Sequence, residues 1–188
     1  MQEHLASANA RAAQLISIAE QLFGPMSSPW TYAGVTFRDQ PPHLYYFPEA
    51  TSVQIALSLR AVGDDLQRDF QLSHEVCHLL YPSIDPIQPD EPRTIVLNEG
   101  ISAYFSVIVV ATDYGDEAAG IALENLATHS PNYFRAFKLV LALMQRDRDA
   151  IKKLRAIQPM INETVTQDLL AADLGLTQEE AEDLVAIC

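Results

Sequence analysis

D-L-Q-R-D-F-Q-L-S-H-E-V-C-H-L-L-Y, residues 65–81, is flanked by Gly63 and Asp64 on one side and by Pro82 on the other. The carboxylates of Asp64 and Asp65 suit a helix N-terminus and Pro82 stops a helix, so the stretch predicts one. Inside it, His74-Glu75-Val76-Cys77-His78 forms an H-E-x-x-H pattern. Four residues at about 100° each bring His78 to within about 40° of His74, one turn further on. Both imidazoles can then face one ion, and Glu75 projects beside them within reach of a water on that ion. The chain has five histidines (His4, His43, His74, His78, His129), and two of them lie here. The plainer reading is a pair of polar helix residues hydrogen-bonded near the surface. Composition alone produces the pattern in roughly one chain of this length in a few hundred.

Downstream, Pro82, Pro86, Pro89 and Pro92 predict a loop that reverses the chain. T-I-V-L-N-E-G-I-S-A-Y-F-S follows at 94–106, with a helix expected from about Asn98 to Thr112. Glu99 stands 21 positions beyond His78, near the start of that helix. It is a candidate third metal ligand, and its plainer role is a favourable charge in a first helical turn. Cys77 precedes His78 by one residue, so it points about 100° away from that ring and is expected in the core. Ser102 and Ser106 recur with Glu99 at helical spacing and are expected to pack.

Upstream, Leu5, Ala8, Ala12, Leu15, Ile16, Ala19 and Phe23 make one stripe of a helix over 2–23, ended by Gly24 and Pro25. Residues 31–38, 43–47 and 52–59 are rich in β-branched and aromatic side chains and are divided by Pro41-Pro42 and Pro48. They predict a small, mostly antiparallel sheet. Val53, Ile55, Leu57 and Leu59 alternate with Gln54, Ala56 and Ser58, so one face of that strand is buried. Its position just before the site helix suggests an edge for an extended substrate. Helices are expected near 116–128, 131–145, 148–157, 164–173 and 177–187, with Ser130-Pro131 as a cap and first-turn proline and Thr177 with Glu180 as a capping box. The fold class is α+β: a small sheet, the site helix, then a helical C-terminal half. Residues 1–160 are read as one domain, and 161–188 as an acidic helical hairpin packed on it.

H-E-x-x-H followed by a glutamate in an N-E-G context resembles the gluzincin class of zinc metallopeptidases. The run from Val53 through G-D-D-L-Q-R-D-F-Q-L-S-H-E-V-C-H-L-L is also similar to the anti-repressor (IrrE-like) metallopeptidases. The resemblance covers about residues 53–112 and implies a zincin-like fold, Zn²⁺ held by His74, His78 and Glu99, and Glu75 as general base. No G-x-M-E-N segment is present, so aminopeptidase specificity is not implied. Ala103 stands four residues after Glu99, where no acidic partner is therefore supplied, and Cys77 stands where the anti-repressor type usually has glycine.

With 25 acidic and 12 basic side chains the formal charge is −13. That excludes a basic nucleic-acid footprint. The C-terminal 162–188 has a helix–turn–helix cadence but seven acidic residues and no Lys or Arg, so it would repel phosphate and better suits a protein partner. Seven of the basic residues lie between 135 and 155 and read as a solvated helix face. The apolar run 101–112 is too short to span a bilayer, and the N-terminus lacks a signal-peptide pattern; a cytoplasmic protein without disulfides is expected. Candidate stabilisers of a developing oxyanion are Tyr133, His129, Tyr104 and Tyr114. The expected activity is zinc-dependent hydrolysis of a peptide or protein substrate. The alternative is a non-catalytic zinc-binding interaction or regulatory module.

Overall fold

The computed structural model describes residues 1–82 and 94–188. In chain order it contains α1 (Gln2–Phe23), β1 (Thr31–Arg38), β2 (His43–Phe47), β3 (Ser52–Ser58), α2 (Asp65–Leu80), α3 (Val96–Tyr114), α4 (Asp116–His129), α5 (Pro131–Arg146), α6 (Ala150–Ile157), α7 (Thr166–Ala171) and α8 (Gln178–Val185). This is the α+β arrangement expected. The proposed loop through Pro86, Pro89 and Pro92 lies outside the described residues.

On α1, Ala8, Ala12, Leu15, Ala19 and Phe23 are buried, and the three alanines let the helix lie close on β1 and α2. Gly24, at φ +95, turns the chain out of the helix. Arg155 of α6 serves that end: its guanidinium donates to the carbonyl oxygens of Phe23 at 2.9 Å and Gly24 at 2.8 Å, and to Ser27 Oγ at 2.8 Å. It is therefore a buried helix cap and not part of a solvated face.

The sheet differs from expectation. Its order is β1-β3-β2, with β3 parallel to β1 and antiparallel to β2. Turn chemistry explains this. The short 3₁₀ turn Pro48–Ala50, with Thr51 left-handed at φ 45, folds β2 back onto β3. The Pro41-Pro42 connection, of the same four-residue length, instead carries the chain across the end of the later β3 position and so leaves β1 parallel to β3. Consequently β3 is central, paired on both sides, and cannot act as the edge for a substrate; β1 and β2 are the edges, and β2 is the one that walls the cleft over His74 and Glu75. Val53, Ile55 and Leu57 are buried as the alternation requires, but Ala56 is buried too and Leu59 is exposed in the turn that follows the strand.

Asp64 caps α2 by accepting from the Gln67 N–H at 2.9 Å. Asp69, buried in the same helix, accepts from Arg11 Nε at 2.9 Å, Arg68 Nε at 2.8 Å and the Tyr114 hydroxyl at 3.0 Å. This fully partnered cluster ties α1, α2 and α3 together at the N-terminal half of the site helix. Helix α3 starts two residues earlier than expected and packs between α2 and α5. At Gly100 an added Cβ would stand 2.5 Å from Ala136 O and from Val140 Cγ2, so only glycine admits α5 this closely. The apolar run on α3 is core, with Ile101, Phe105 and Val110 fully buried. Among the described residues no helix is long and apolar enough to cross a membrane.

At the C-terminus Thr177 and Glu180 form the expected capping box, whereas Ser130 makes no side-chain capping bond at α5. Helix α8 packs on α3, and Val96 N–H donates to Ala186 O at 2.8 Å. Its acids meet the basic cluster of α5: Asp183 pairs with Arg135 at 2.8 Å, and Glu180 pairs with Arg146. The two oppositely charged stretches of sequence are thus partly complementary within the chain.

Candidate metal centre

Helix α2 presents His74 and His78 one turn apart, and the first turn of α3 brings Glu99 against them. The two Nε2 atoms are 3.1 Å apart. Glu99 Oε2 lies 3.3 Å from His74 Nε2 and 3.6 Å from His78 Nε2. Ligand atoms at about 2.0–2.1 Å from zinc, set at tetrahedral angles, stand about 3.3–3.4 Å from one another. The three spacings bracket that value. Glu99 Oε2 is moreover buried without a hydrogen-bond partner, a costly state for a carboxylate unless something cationic satisfies it. His74, His78 and Glu99 therefore form a donor set that could hold a metal ion, and its two imidazoles and one carboxylate suit zinc.

The histidine on the inner side is held in one orientation. His78 Nδ1 donates to Asn98 Oδ1 at 3.1 Å, which leaves Nε2 as the free electron pair facing Glu99. Asn98, fully buried, donates in turn through Nδ2 to Asn162 Oδ1 at 3.4 Å, and that oxygen also accepts the Ile95 N–H at 3.0 Å. The site is thus braced by residues from both ends of the helical half.

Electrostatics follow from burial and crowding. Burial would raise the Glu99 carboxyl, but the adjacent imidazoles of His74 and His78 outweigh it and hold Glu99 well below the usual carboxylate range. For His78 burial acts to lower the pKa, and the adjacent Glu99 more than offsets this, so it is raised. Glu75 is buried, which raises its carboxyl, with the charges of His74 and His78 opposing and Glu99 reinforcing. A bound divalent cation would reverse much of that penalty.

A cleft of about 290 Å³ opens over the triad, walled by His43, Leu44 and Tyr46 of β2, by Glu75 and by Tyr133. The Tyr133 ring lies 5.9 Å from that of His74, and its hydroxyl is pushed up to about 12 by burial, so it stays protonated near neutrality. The other oxyanion candidates are placed elsewhere. His129 is exposed at the end of α4, away from this cleft. Tyr114 is engaged by Asp69, and Tyr104 lies beside Leu22, Met144 and Arg148. Cys77 is fully buried, its thiol pushed up to about 12 by burial, and is packed core. Ser102 and Ser106 are buried and bond to helix carbonyls one turn back. Sequence reasoning missed His43, whose Nδ1 donates to Pro41 O at 2.8 Å. It also missed the bracing role of Asn98; the side-chain amide immediately before Glu99 was its only signal.

Comparison with protein-family models, with curated proteins and with solved structures returns no match for this chain.

Proposed function

We propose that the chain is a zinc-dependent peptidase. The observation that carries the reading is the convergence of His74, His78 and Glu99, at zinc-ligand spacing around a buried, unpartnered carboxylate oxygen, in the same cleft as Glu75. Zinc, when bound, supplies Lewis acidity that makes water nucleophilic near neutral pH. Glu75 takes a proton from the attacking water and returns it to the leaving amine. Tyr133, the one oxyanion candidate that faces the cleft, donates its hydroxyl proton as a hydrogen bond to the carbonyl oxygen as charge develops there. Edge strand β2 supports an extended substrate by backbone hydrogen bonds, the role that central β3 cannot perform.

Digestion of a defined peptide mixture by zinc-loaded protein, read by mass spectrometry, tests this. The wild type is expected to cut, and Glu75→Gln to keep its zinc while losing about 10²–10⁴-fold in rate. Zinc-loaded wild type that cuts nothing, or a Glu75→Gln variant that cuts as well, would leave a non-catalytic zinc module.

A further inference from the structure

The cleft over the triad does not end there. On the far side of Glu75 and Tyr133 a second recess of about 270 Å³ is walled by Pro42, Phe70, Ala103 and Leu126, with His74, Glu75 and Tyr133 common to both. Phe70, Leu126 and Ser130 then pass into a third recess of about 300 Å³ between α2 and α4, which reaches Leu66, Ala118 and Ile121. Shared walls thus set the three recesses in a row, a trough from the metal ligands to α4, and its lining changes character along the way. Glu75 and His74 are its charged or chargeable groups at the inner end. Beyond them the floor is mostly apolar, with Leu126 buried and Phe70 half-buried; Gln71 and Ser130 add neutral polar groups in the second recess, and Gln67, Asn125, His129 and Ser130 do so in the outer one. Ile121 stands 55 % exposed at the far end, an aliphatic side chain left in water. Each recess is of the size that takes one or two large side chains.

Resting on the peptidase reading, we infer that this trough selects the substrate: it receives bulky apolar side chains (Leu, Ile, Phe or Met) of the peptide on one side of the scissile bond. Continuity with the metal cleft names the occupant, because a chain lying across Glu75 extends directly over Phe70 and Leu126. Beyond Glu75, a charged side chain would lose hydration against Phe70, Ala103 and Leu126 with no carboxylate, Lys or Arg in the outer recess to meet it. Phe70, Leu126 and Ile121 are then specificity-determining residues, and none of them is a metal ligand or a proton carrier.

The test uses zinc-loaded full-length chain and an alanine-rich peptide series in which one phenylalanine is walked along the sequence. Binding is measured by fluorescence anisotropy on the Glu75→Gln background, and cleavage on the wild-type background. Phenylalanine at one or two adjacent positions is expected to tighten binding about tenfold and to direct the cut to a fixed distance from it. Ile121→Asp, a surface change whose thermal stability should match the parent, is expected to abolish that preference, read as the ratio of phenylalanine-bearing to all-alanine peptide. Preference in binding without cleavage sustains the trough and overturns the peptidase reading. Cleavage that ignores the phenylalanine, or Ile121→Asp acting equally on every peptide, sustains the peptidase and overturns the trough. Failure to bind any peptide, or a dimer in sedimentation that Ile121→Asp dissociates, overturns the trough as a substrate site.

Discussion

At the scale of single residues, the site depends on which nitrogen of His78 faces Glu99, and that is decided by a residue that touches no substrate. Asn98 takes the Nδ1 proton and commits Nε2 to the centre. Asn98→Ala leaves that N–H buried and unpaired and lets the ring rotate, so zinc affinity should weaken about 10–100-fold. Competition titration against a chelator of known affinity measures this; an unchanged affinity would remove Asn98 from the account. The histidine pair and Glu75 are legible in the sequence because helical spacing fixes their directions; Glu99, on another helix, is legible only as a candidate, from its place in the first turn after the proline-rich stretch and from the resemblance. Asn98, His43 and Arg155 were not, since their roles depend on partners 20 or more positions away, on local turn geometry, or on burial that composition does not reveal. Arg155 sat in a run of basic residues that pointed to solvent; only the packing of α6 on the end of α1 turns it inward.

Among the elements, α3 and α5 approach closely at Gly100, the residue after Glu99, and Tyr133 stands in the first turn of α5. Gly100→Ala drives a methyl into the Ala136 carbonyl and the Val140 side chain. A backbone neighbour cannot rotate away, so the helices must separate, at a cost of about 1–3 kcal/mol. Chemical denaturation should show a lower midpoint with unchanged slope, and peptidase activity should fall further than stability, because Tyr133 moves with α5. A midpoint equal to wild type would mean that the two helices slide freely. Helix positions were legible to within a few residues because their apolar stripes and caps are local signals. Sheet order was not: alternation in 53–59 says that one face is buried but is silent on how many neighbours the strand has. The strand expected at an edge is central because the 3₁₀ turn with left-handed Thr51 folds β2 back onto one side of β3 while β1 pairs with the other.

For the whole molecule, the proposed centre should couple folding to metal and to pH. Without metal, burial raises the Glu75 carboxyl, and Glu99 raises His78 against the opposing effect of burial. A group whose folded pKa is raised contributes stability below its unfolded value and loses it as pH climbs through the folded one. Metal-free protein should therefore lose thermal stability as pH rises above about 6.5, the unfolded value for histidine. Glu99, held low by the two histidines, contributes in the opposite sense and loses its share only in strong acid. With zinc the upper limb should reverse, since the ion competes with protons for the imidazoles and binds better as they leave. Melting curves from pH 6 to 8 with chelator and with excess zinc check both limbs; parallel curves would contradict the coupling. At a hundredfold excess over Kd, zinc should add about 2.7 kcal/mol, or roughly 5–10 °C for a chain of this size. Most direct of all is the zinc content of the purified protein by elemental analysis, beside His74→Ala as control. One zinc per wild-type chain is expected and none in the variant; a wild-type chain that holds no zinc, and gains no stability when zinc is added, would rule out the metal centre.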